Sequence, residues 1–313
     1  MVIILLLRTK PNFDQLHLLF EFQAMRQPQD TNSNWLFEIT PKNSFFSLNF
    51  REVWQYRDLL TLFVKRDVVT AYKQTVLGPL WYLIQPLFTS VTFTIIFNNL
   101  AGINTGAVPP FLFNLAGITI WNYFTSCLTG TSNTFGANAG IFGKVYFPRI
   151  IVPLSIVISN LLKFGIQFFI FIAFYLYFYL QGAQISLNSW GFLFPVLIVL
   201  MGVLGLGLGM IISSLVTKYR DFSYLISFGV QLLMYVSAVV YPIALVQEKM
   251  PEYAWLVKYN PLAYIIESTR YMLLNVGTIS LSGLVYTVAV AVVLFLVGVL
   301  FFNRTEKSFI DTV

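Results

Sequence analysis

Residues 57–86 read RDLLTLFVKRDVVTAYKQTVLGPLWYLIQP. The segment begins with charged residues and ends in the first uncharged stretch long enough to cross a bilayer. Gly78 and Pro79 stand between the two parts and predict a break, because proline lacks the amide donor of a helix and clashes with the preceding turn. The segment therefore marks the point where the chain enters the membrane.

The charged part of this segment has the pattern of an amphipathic helix. Asn49 followed by Glu52 is a capping-box signature and predicts a helix start at Phe50. Apolar residues then recur at helical spacing on one face, namely Tyr56, Leu59, Leu60, Phe63 and Val64. We predict an amphipathic interface helix within residues 46–79, suited to a bilayer surface or to a partner protein.

The composition of the chain excludes a soluble globular protein. Of its 313 residues, 57% are hydrophobic and only 10% are charged. The apolar residues form runs of about twenty or more, which is the length of a membrane span. We therefore predict an all-α integral membrane protein. The net charge of +6 does not indicate nucleic-acid binding, because the basic residues cluster where cytoplasmic loops would lie.

The apolar runs predict a transmembrane domain at 80–302 with six spans, at residues 80–100, 111–135, 150–180, 192–216, 222–241 and 281–302. The fourth span carries glycines that allow close helix contacts, namely Gly202, Gly205, Gly207 and Gly209. Residues 242–277 are too polar and too broken by prolines for an ordinary span, so we predict a re-entrant or interfacial helical hairpin there. Residues 1–45 and 303–313 are predicted to be a cytoplasmic N-terminal extension and a cytoplasmic tail.

Lysine and arginine are distributed unevenly between the two sides of these spans. Fifteen fall in the segments of one side, three fall in the segments of the other, and Lys163 lies inside a span. Under the positive-inside rule this distribution places both termini in the cytoplasm. The expected location is the inner (plasma) membrane, with multiple spans.

Several kinds of chemistry are excluded by missing residues. The nearest approach to a nucleotide-binding P-loop, at Gly143 and Lys144, lacks its first glycine and its hydroxyl residue, so we expect no ATP hydrolysis by this chain. One histidine, His17, excludes a serine–histidine–aspartate triad, and one cysteine, Cys127, excludes an intrachain disulfide. We therefore predict no enzymatic site, no metal site and no cofactor in this chain.

Two features of the sequence have both a structural and a functional interpretation. Lys163 is the one ionisable residue well inside a span, and it either contributes to mechanism or extends its amine toward the membrane surface. The loops at 136–149 and 217–221 combine aromatic and charged residues. They are either ordinary cytoplasmic loops or docking sites for a soluble motor subunit.

The chain resembles the membrane-spanning permeases of polysaccharide ABC exporters, which move O-antigen, capsular polysaccharide or teichoic acid. The resemblance covers about residues 35–313 and rests on motifs in the family's order. These motifs are Tyr56–Leu60, Lys65–Asp67, Tyr72–Trp81, Gln85–Pro86, Lys144–Arg149, Tyr219–Asp221, Asn260–Leu262 and Phe302–Asp311.

The resemblance implies a homodimer joined to two copies of a separate ATP-binding subunit, which would bind ATP and magnesium. The interface helix and the two loops would contact that subunit. The implied docking residues are Arg57, Asp58, Arg66, Asp67, Lys144, Tyr146, Phe147, Arg149, Lys218, Tyr219, Arg220 and Asp221.

The resemblance also implies a channel for a glycan carried on a lipid, closed by an outer gate at 242–277. Aromatic rings stack on the apolar faces of sugars, although any single ring can equally face lipid or the core. The residues expected along the path are Trp81, Tyr82, Trp121, Tyr123, Lys163, Tyr235 and Tyr241. Those expected at the gate are Pro261, Tyr264, Glu267 and Arg270.

Three other functions compete with this interpretation. An ion-coupled secondary transporter needs ionisable residues at mid-membrane, where only Lys163 qualifies. A membrane glycosyltransferase needs acidic metal ligands in a loop, and the loops offer Asp221 and scattered glutamates. A lipid or drug exporter of the same architecture is the closest rival.

Overall fold

The computed structural model describes residues 50–73, 78–219 and 221–310. The predicted extension at 1–45, the capping residue Asn49, and Arg220 lie outside the described residues. The described chain is helical, which confirms the predicted all-α membrane class. The side of the molecule that carries the 143–149 loop is called inner below, and the side that carries residues 242–277 is called outer, following the predicted orientation.

The N-terminal part forms two helices, α1 (Phe50–Gln55) and α2 (Arg57–Tyr72). A short 3₁₀ turn, Gly78–Leu80, leads into α3 (Trp81–Phe93), and α3 continues as a π-helix over Thr94–Leu100. Gly78 has a φ of 47°, a left-handed conformation that glycine adopts without a steric penalty. The predicted break at this position is confirmed.

The central helices are α4 (Pro110–Ser132), α5 (Thr134–Phe142), α6 (Ile151–Leu180) and α7 (Phe194–Lys218). After them come α8 (Phe222–Val236), α9 (Ile243–Lys249), α10 (Ala254–Lys258), α11 (Pro261–Leu274) and α12 (Leu281–Ile310). Within the described ranges, four helical stretches are long and apolar enough to cross a membrane: Trp81–Leu100, Ile151–Leu180, Ser189–Lys218 and Leu281–Lys307. Helix α4 is long but more polar and α8 is apolar but short, so the count of six spans stays a prediction.

Several helix ends differ from the predicted span limits. The second span breaks at Asn133, and α5 extends into the predicted 136–149 loop. The fifth ends at Val236 rather than 241, and the sixth continues through the predicted tail to Ile310. The outer segment is a chain of short helices followed by α11 rather than a simple hairpin.

Helix α4 lies at the centre of the packing, between α6 and α7. Most of its side chains are buried, whereas in the described structure no side chain of α8 is. Helix α12 packs along the far side of α7, and α11 covers α4 and α12 at the outer end. The main core cluster therefore forms around α4, α6 and α7.

The glycines of α7 allow this close packing, as the sequence predicts. A Cβ on Gly205 would lie 2.8 Å from the Cβ of Cys127, and a Cβ on Gly209 would lie 2.6 Å from that of Thr131. On the opposite face, a Cβ on Gly298 of α12 would lie 2.5 Å from the carbonyl oxygen of Gly207. The α7–α12 crossing is therefore a contact between backbones.

Candidate functional site

The apolar face of α2 packs against the protein itself. Phe63 is buried, and Tyr56, Leu59 and Leu60 pack against the same cluster of buried residues. This cluster, here called the inner aromatic cluster, contains Phe63, Phe135, Phe142, Phe147 and Phe302. The rings of Phe63 and Phe147 are 5.6 Å apart, and those of Phe135 and Phe302 are stacked at 4.7 Å. The cluster therefore joins α2, the 143–149 loop, α5 and α12.

The charged face of α2 carries two ion pairs of different character. Arg57 and Asp58 are exposed and 3.9 Å apart, whereas Arg66 and Asp67 form a partly buried pair at 2.8 Å. Arg66 also donates to the Asn138 side chain over 3.3 Å, and its guanidinium lies over the ring of Phe63. The second pair therefore holds α2 against α5, and the first faces solvent.

The 143–149 loop divides into an exposed tip and a buried base. Lys144, Val145 and Tyr146 are exposed, with Tyr146 at 78%. Phe147 and Arg149 are buried, at 5% and 7% exposed. Of the four residues of this loop that are predicted to dock a partner, Phe147 and Arg149 face the protein interior, and Lys144 and Tyr146 are the accessible pair.

Arg149 ties this loop to the end of α12. Its guanidinium donates to the Glu306 carbonyl oxygen over 3.0 Å and to the Phe142 carbonyl oxygen over 3.4 Å. Its Nε lies 3.7 Å from the Glu306 carboxylate, and the ring of Phe142 lies beneath it. Burial lowers the pKa of Arg149, and the carboxylate of Glu306 opposes that shift. These contacts explain why α12 continues past the predicted span end.

The second predicted docking loop, after α7, is exposed. Lys218 lies 5.1 Å from the ring centre of Tyr219, and both side chains are exposed, as is Asp221. The basic residue in the last turn of α7 also suits the negative end of the helix dipole.

The outer segment is anchored by a completely buried arginine. Arg270 donates to the carbonyl oxygens of Ala238 at 2.9 Å and Tyr241 at 3.2 Å, and also to that of Val239. These carbonyls follow the C-terminus of α8, where Ala238 has a φ of 54°. Arg270 therefore supplies hydrogen-bond donors to backbone carbonyl oxygens that the end of α8 would otherwise leave buried and unpaired.

An aromatic ring, a carboxylate and two glycines surround the buried Arg270 and Glu267 side chains. Its guanidinium lies 3.8 Å from the ring centre of Phe113, and Glu267 is 3.8 Å away, one turn back on α11. A Cβ on Gly117 would lie 2.5 Å from its Nη2, and a Cβ on Gly277 would meet the Glu267 carboxylate. Gly277 has a φ of 93°, so both the space and the backbone conformation require glycine there.

The other residues predicted at the outer gate stabilise α11. Asn260 caps the helix by accepting from the backbone amide of Leu262 at 3.0 Å, and Pro261 occupies the first turn. The Tyr264 hydroxyl donates to the Lys258 carbonyl oxygen, and its ring fills the space beside Gly283.

Comparison with known proteins identifies the family. Residues 58–274 match the family described as ABC-2 type transporter. The chain belongs to that family. Two proteins of Klebsiella pneumoniae, each named O-antigen export system permease protein RfbA, are 30% and 29% identical to it over 81% of this chain and 94% of their own length. A protein of the same name from Myxococcus xanthus is 24% identical over 84% of this chain and 98% of its own.

The predicted path residues of this ABC-2 protein separate into buried and accessible groups. Trp121 and Tyr123 are buried in the core. The ring of Tyr123 packs against Phe164, and a Cβ added to Gly202 would lie 2.6 Å from the Tyr123 hydroxyl. In the described chain both side chains contribute to core packing, and their place on a substrate path stays a prediction. The accessible or partly accessible residues are Trp81, Tyr82, Lys163, Tyr235 and Tyr241.

Sequence pattern does not indicate the residues that hold the charged groups in place. Gly117 and Phe113 line the Arg270 site, and Glu306 pairs with Arg149, but each lies far from its partner in sequence. The cap at Asn260 had a local signal, because asparagine before a proline is typical of a helix start.

Proposed function

We propose that this chain is the membrane-spanning permease of an ABC exporter that moves a lipid-linked polysaccharide out across the cytoplasmic membrane. The observation that carries the proposal is the match to proteins named O-antigen export permeases over 94% to 98% of their length. A match of that extent leaves little of those proteins outside the alignment, so a shared substrate class is the simplest account.

The energy for transport comes from a separate subunit. Membership of the ABC-2 family implies an ABC ATP-binding partner, and in this proposal two copies of it bind ATP and magnesium beneath a homodimer of this chain. The exposed inner residues provide the docking surface, especially Lys144, Tyr146, Lys218 and Tyr219. The chain itself supplies a path and a lever, with both termini in the cytoplasm.

The inner aromatic cluster supports a mechanical role for the docking surface. Closure of the ATP-binding dimer would push on the exposed loop tip. Because Phe147 and Arg149 join that loop to α2 and α12, the push moves these elements together.

The docking assignment is tested by reversing the charge of Lys144 and removing the side chain of Tyr146 at the exposed tip of the 143–149 loop. Lys144→Glu with Tyr146→Ala should abolish co-purification of the ATP-binding subunit while the permease stays folded. Lys258→Glu, on the exposed outer side, is the matched control and should leave the complex intact. An unchanged complex with the first variant would place the docking surface elsewhere.

The substrate is tested by deleting the gene and extracting surface and intracellular glycan separately. Loss of the surface polymer with accumulation of its lipid-linked form inside, reversed by the gene on a plasmid, is the expected result. Normal surface glycan in a strain without a second exporter would favour the rival function, export of a lipid or drug.

A further inference from the structure

A row of polar residues follows one ridge of the apolar helix α6. Ser155, Ser159, Lys163 and Gln167 occupy every fourth position. Residues four apart are neighbours on a helix surface, so the four side chains form a continuous polar row. Ser155 and Ser159 are buried inside the protein, whereas Lys163 and Gln167 are partly exposed. An ionisable group within a span is costly unless it has a partner, which indicates a specific role for Lys163.

The row starts at the interface helix and leads into the membrane. The Ser155 hydroxyl lies 3.5 Å from the Asp67 carboxylate on α2. Lys163 is eight residues further along, about 12 Å at the rise of an α-helix. Its amine turns back toward the inner end, donates to the Asn160 side chain over 3.0 Å and lies 5.5 Å from the ring centre of Tyr82 on α3. The ammonium therefore lies between α3 and α6, in the inner half of the membrane.

The charge of Lys163 lacks an adjacent counter-ion. Among the described residues, no carboxylate lies within 4 Å of its amine, and Asp67, whose field reaches it, already pairs with Arg66. An ammonium has three donors, of which Asn160 takes one. One turn away, the buried hydroxyl of Ser159 has no hydrogen-bond partner in the part of the chain that the structure describes. The ammonium of Lys163 therefore has donors left to bind an anion, and the unpartnered hydroxyl of Ser159 belongs to the residue one helical turn before it on the same row.

We infer that Lys163, with Ser159, binds a lipid-borne phosphate, and that this phosphate is the one joining the transported glycan to its lipid carrier. Lys163 is partly exposed within a span, so a ligand held in the bilayer can reach it. The compact charge of lysine suits a phosphate group. The inference rests on the proposed function for the identity of the lipid, but not for the chemistry of the site.

The test uses the permease with its ATP-binding subunit in phosphatidylcholine nanodiscs. The probe is a radiolabelled polyprenyl phosphate, and polyprenol without phosphate and phosphatidylglycerol serve as competitors. Wild-type protein should bind polyprenyl phosphate at least tenfold more tightly than polyprenol. Lys163→Met should remove that preference, Lys163→Arg should keep most of it, and Ser159→Ala should weaken binding two- to fivefold. Lys258→Met, an exposed lysine on the outer side, is the control and should change nothing.

Three results would overturn the inference. The first is equal binding of polyprenyl phosphate and polyprenol by the wild type, and the second is unchanged binding by Lys163→Met. The third is equal competition by phosphatidylglycerol, which would make the residue a general anionic-lipid contact. If Lys163→Met does not fold, Ser159→Ala and the wild-type competition still decide the question. The assay contains no glycan, so it can succeed or fail independently of the deletion experiment.

Discussion

Two buried arginines hold opposite ends of this molecule, and they do so in different ways. Arg270 and Arg149 each lie over a phenylalanine ring, donate to backbone carbonyls and have a glutamate within 4 Å. The glutamate of Arg270 is three residues away on the same helix and is 7% exposed, whereas that of Arg149 comes from the end of α12 and is 30% exposed. At the outer site, Arg270 and Glu267 are shielded from water and stabilise the backbone after α8. At the inner site, Arg149 connects the 143–149 loop to the end of α12, and water can reach the Glu306 carboxylate.

The largest effect is expected from Arg270→Met. The substitution leaves the carboxylate of Glu267 buried without its counter-ion and the carbonyls after α8 without their arginine donor, which should lower the free energy of unfolding by about 3–5 kcal/mol. Cys127 is completely buried, so a thiol-reactive dye reports thermal unfolding in detergent. Arg304→Met, at an exposed position of α12, is the control. Equal melting of the two variants would show that the outer arginine is not the anchor described above.

A smaller change at the same site comes from Gly117→Ala. The added methyl group would lie 2.5 Å from both Arg270 Nη2 and the carbonyl oxygen of Val239, and we expect a loss of about 2 kcal/mol from overpacking. Gly229→Ala provides the comparison, because no atom lies within 4 Å of its added Cβ. The dye assay should show a lower melting temperature only for the first variant, and the reverse order would contradict the close approach.

At the inner end, Arg149→Met should cost about 1.5 kcal/mol, the lower limit for hydrogen bonds to a charged group. The cost is smaller than at Arg270 because the partly exposed Glu306 can be solvated by water. Hydrogen exchange should become faster in the last turns of α12, while exchange in α11 stays unchanged. Faster exchange at both ends would mean that the two sites are not independent.

The smallest effect is expected from Arg57→Ala. Its pair with Asp58 is exposed on both sides and 3.9 Å long, so we expect a change of about 0.5 kcal/mol or less. The melting temperature should match the wild type within error. A clear decrease would show that α2 contributes more to stability than its buried contacts at Phe63 and Arg66 suggest.

The parts of the fold that depend on local pattern could be predicted from the sequence. The all-α membrane class, the break at Gly78 and the close contacts of the α7 glycines all follow from hydropathy, proline and glycine placement. The end of α8 at Val236 could not be predicted, because Arg270 donates to the carbonyls beyond it from 29 to 32 positions away. The extension of α12 likewise depends on Arg149, which is 157 positions from Glu306.

In the candidate site, too, local sequence pattern predicts some features, and contacts between distant residues decide the others. Sequence pattern predicts a loop with aromatic and charged residues at 136–149, of which 136–142 belong to α5 and 143–149 form the loop. The pattern cannot show which of its side chains point inward. Phe147 is buried because Phe63 and Phe142 lie on either side of it, and both belong to other elements. Exposure of Tyr146 beside burial of Phe147 follows from the course of the backbone and has no signal in composition.

The crossing of α7 and α12 affects how a displacement travels between the two ends. Side chains in an interface can change rotamer and let two helices slide past each other, but Gly207 and Gly298 bring backbone against backbone and leave no such freedom. The two helices can therefore pivot about this contact while their relative height stays constant. In the proposed function, a push at Lys218 would therefore tilt α12 and move its outer end sideways, at the point where the ring of Tyr264 lies against Gly283.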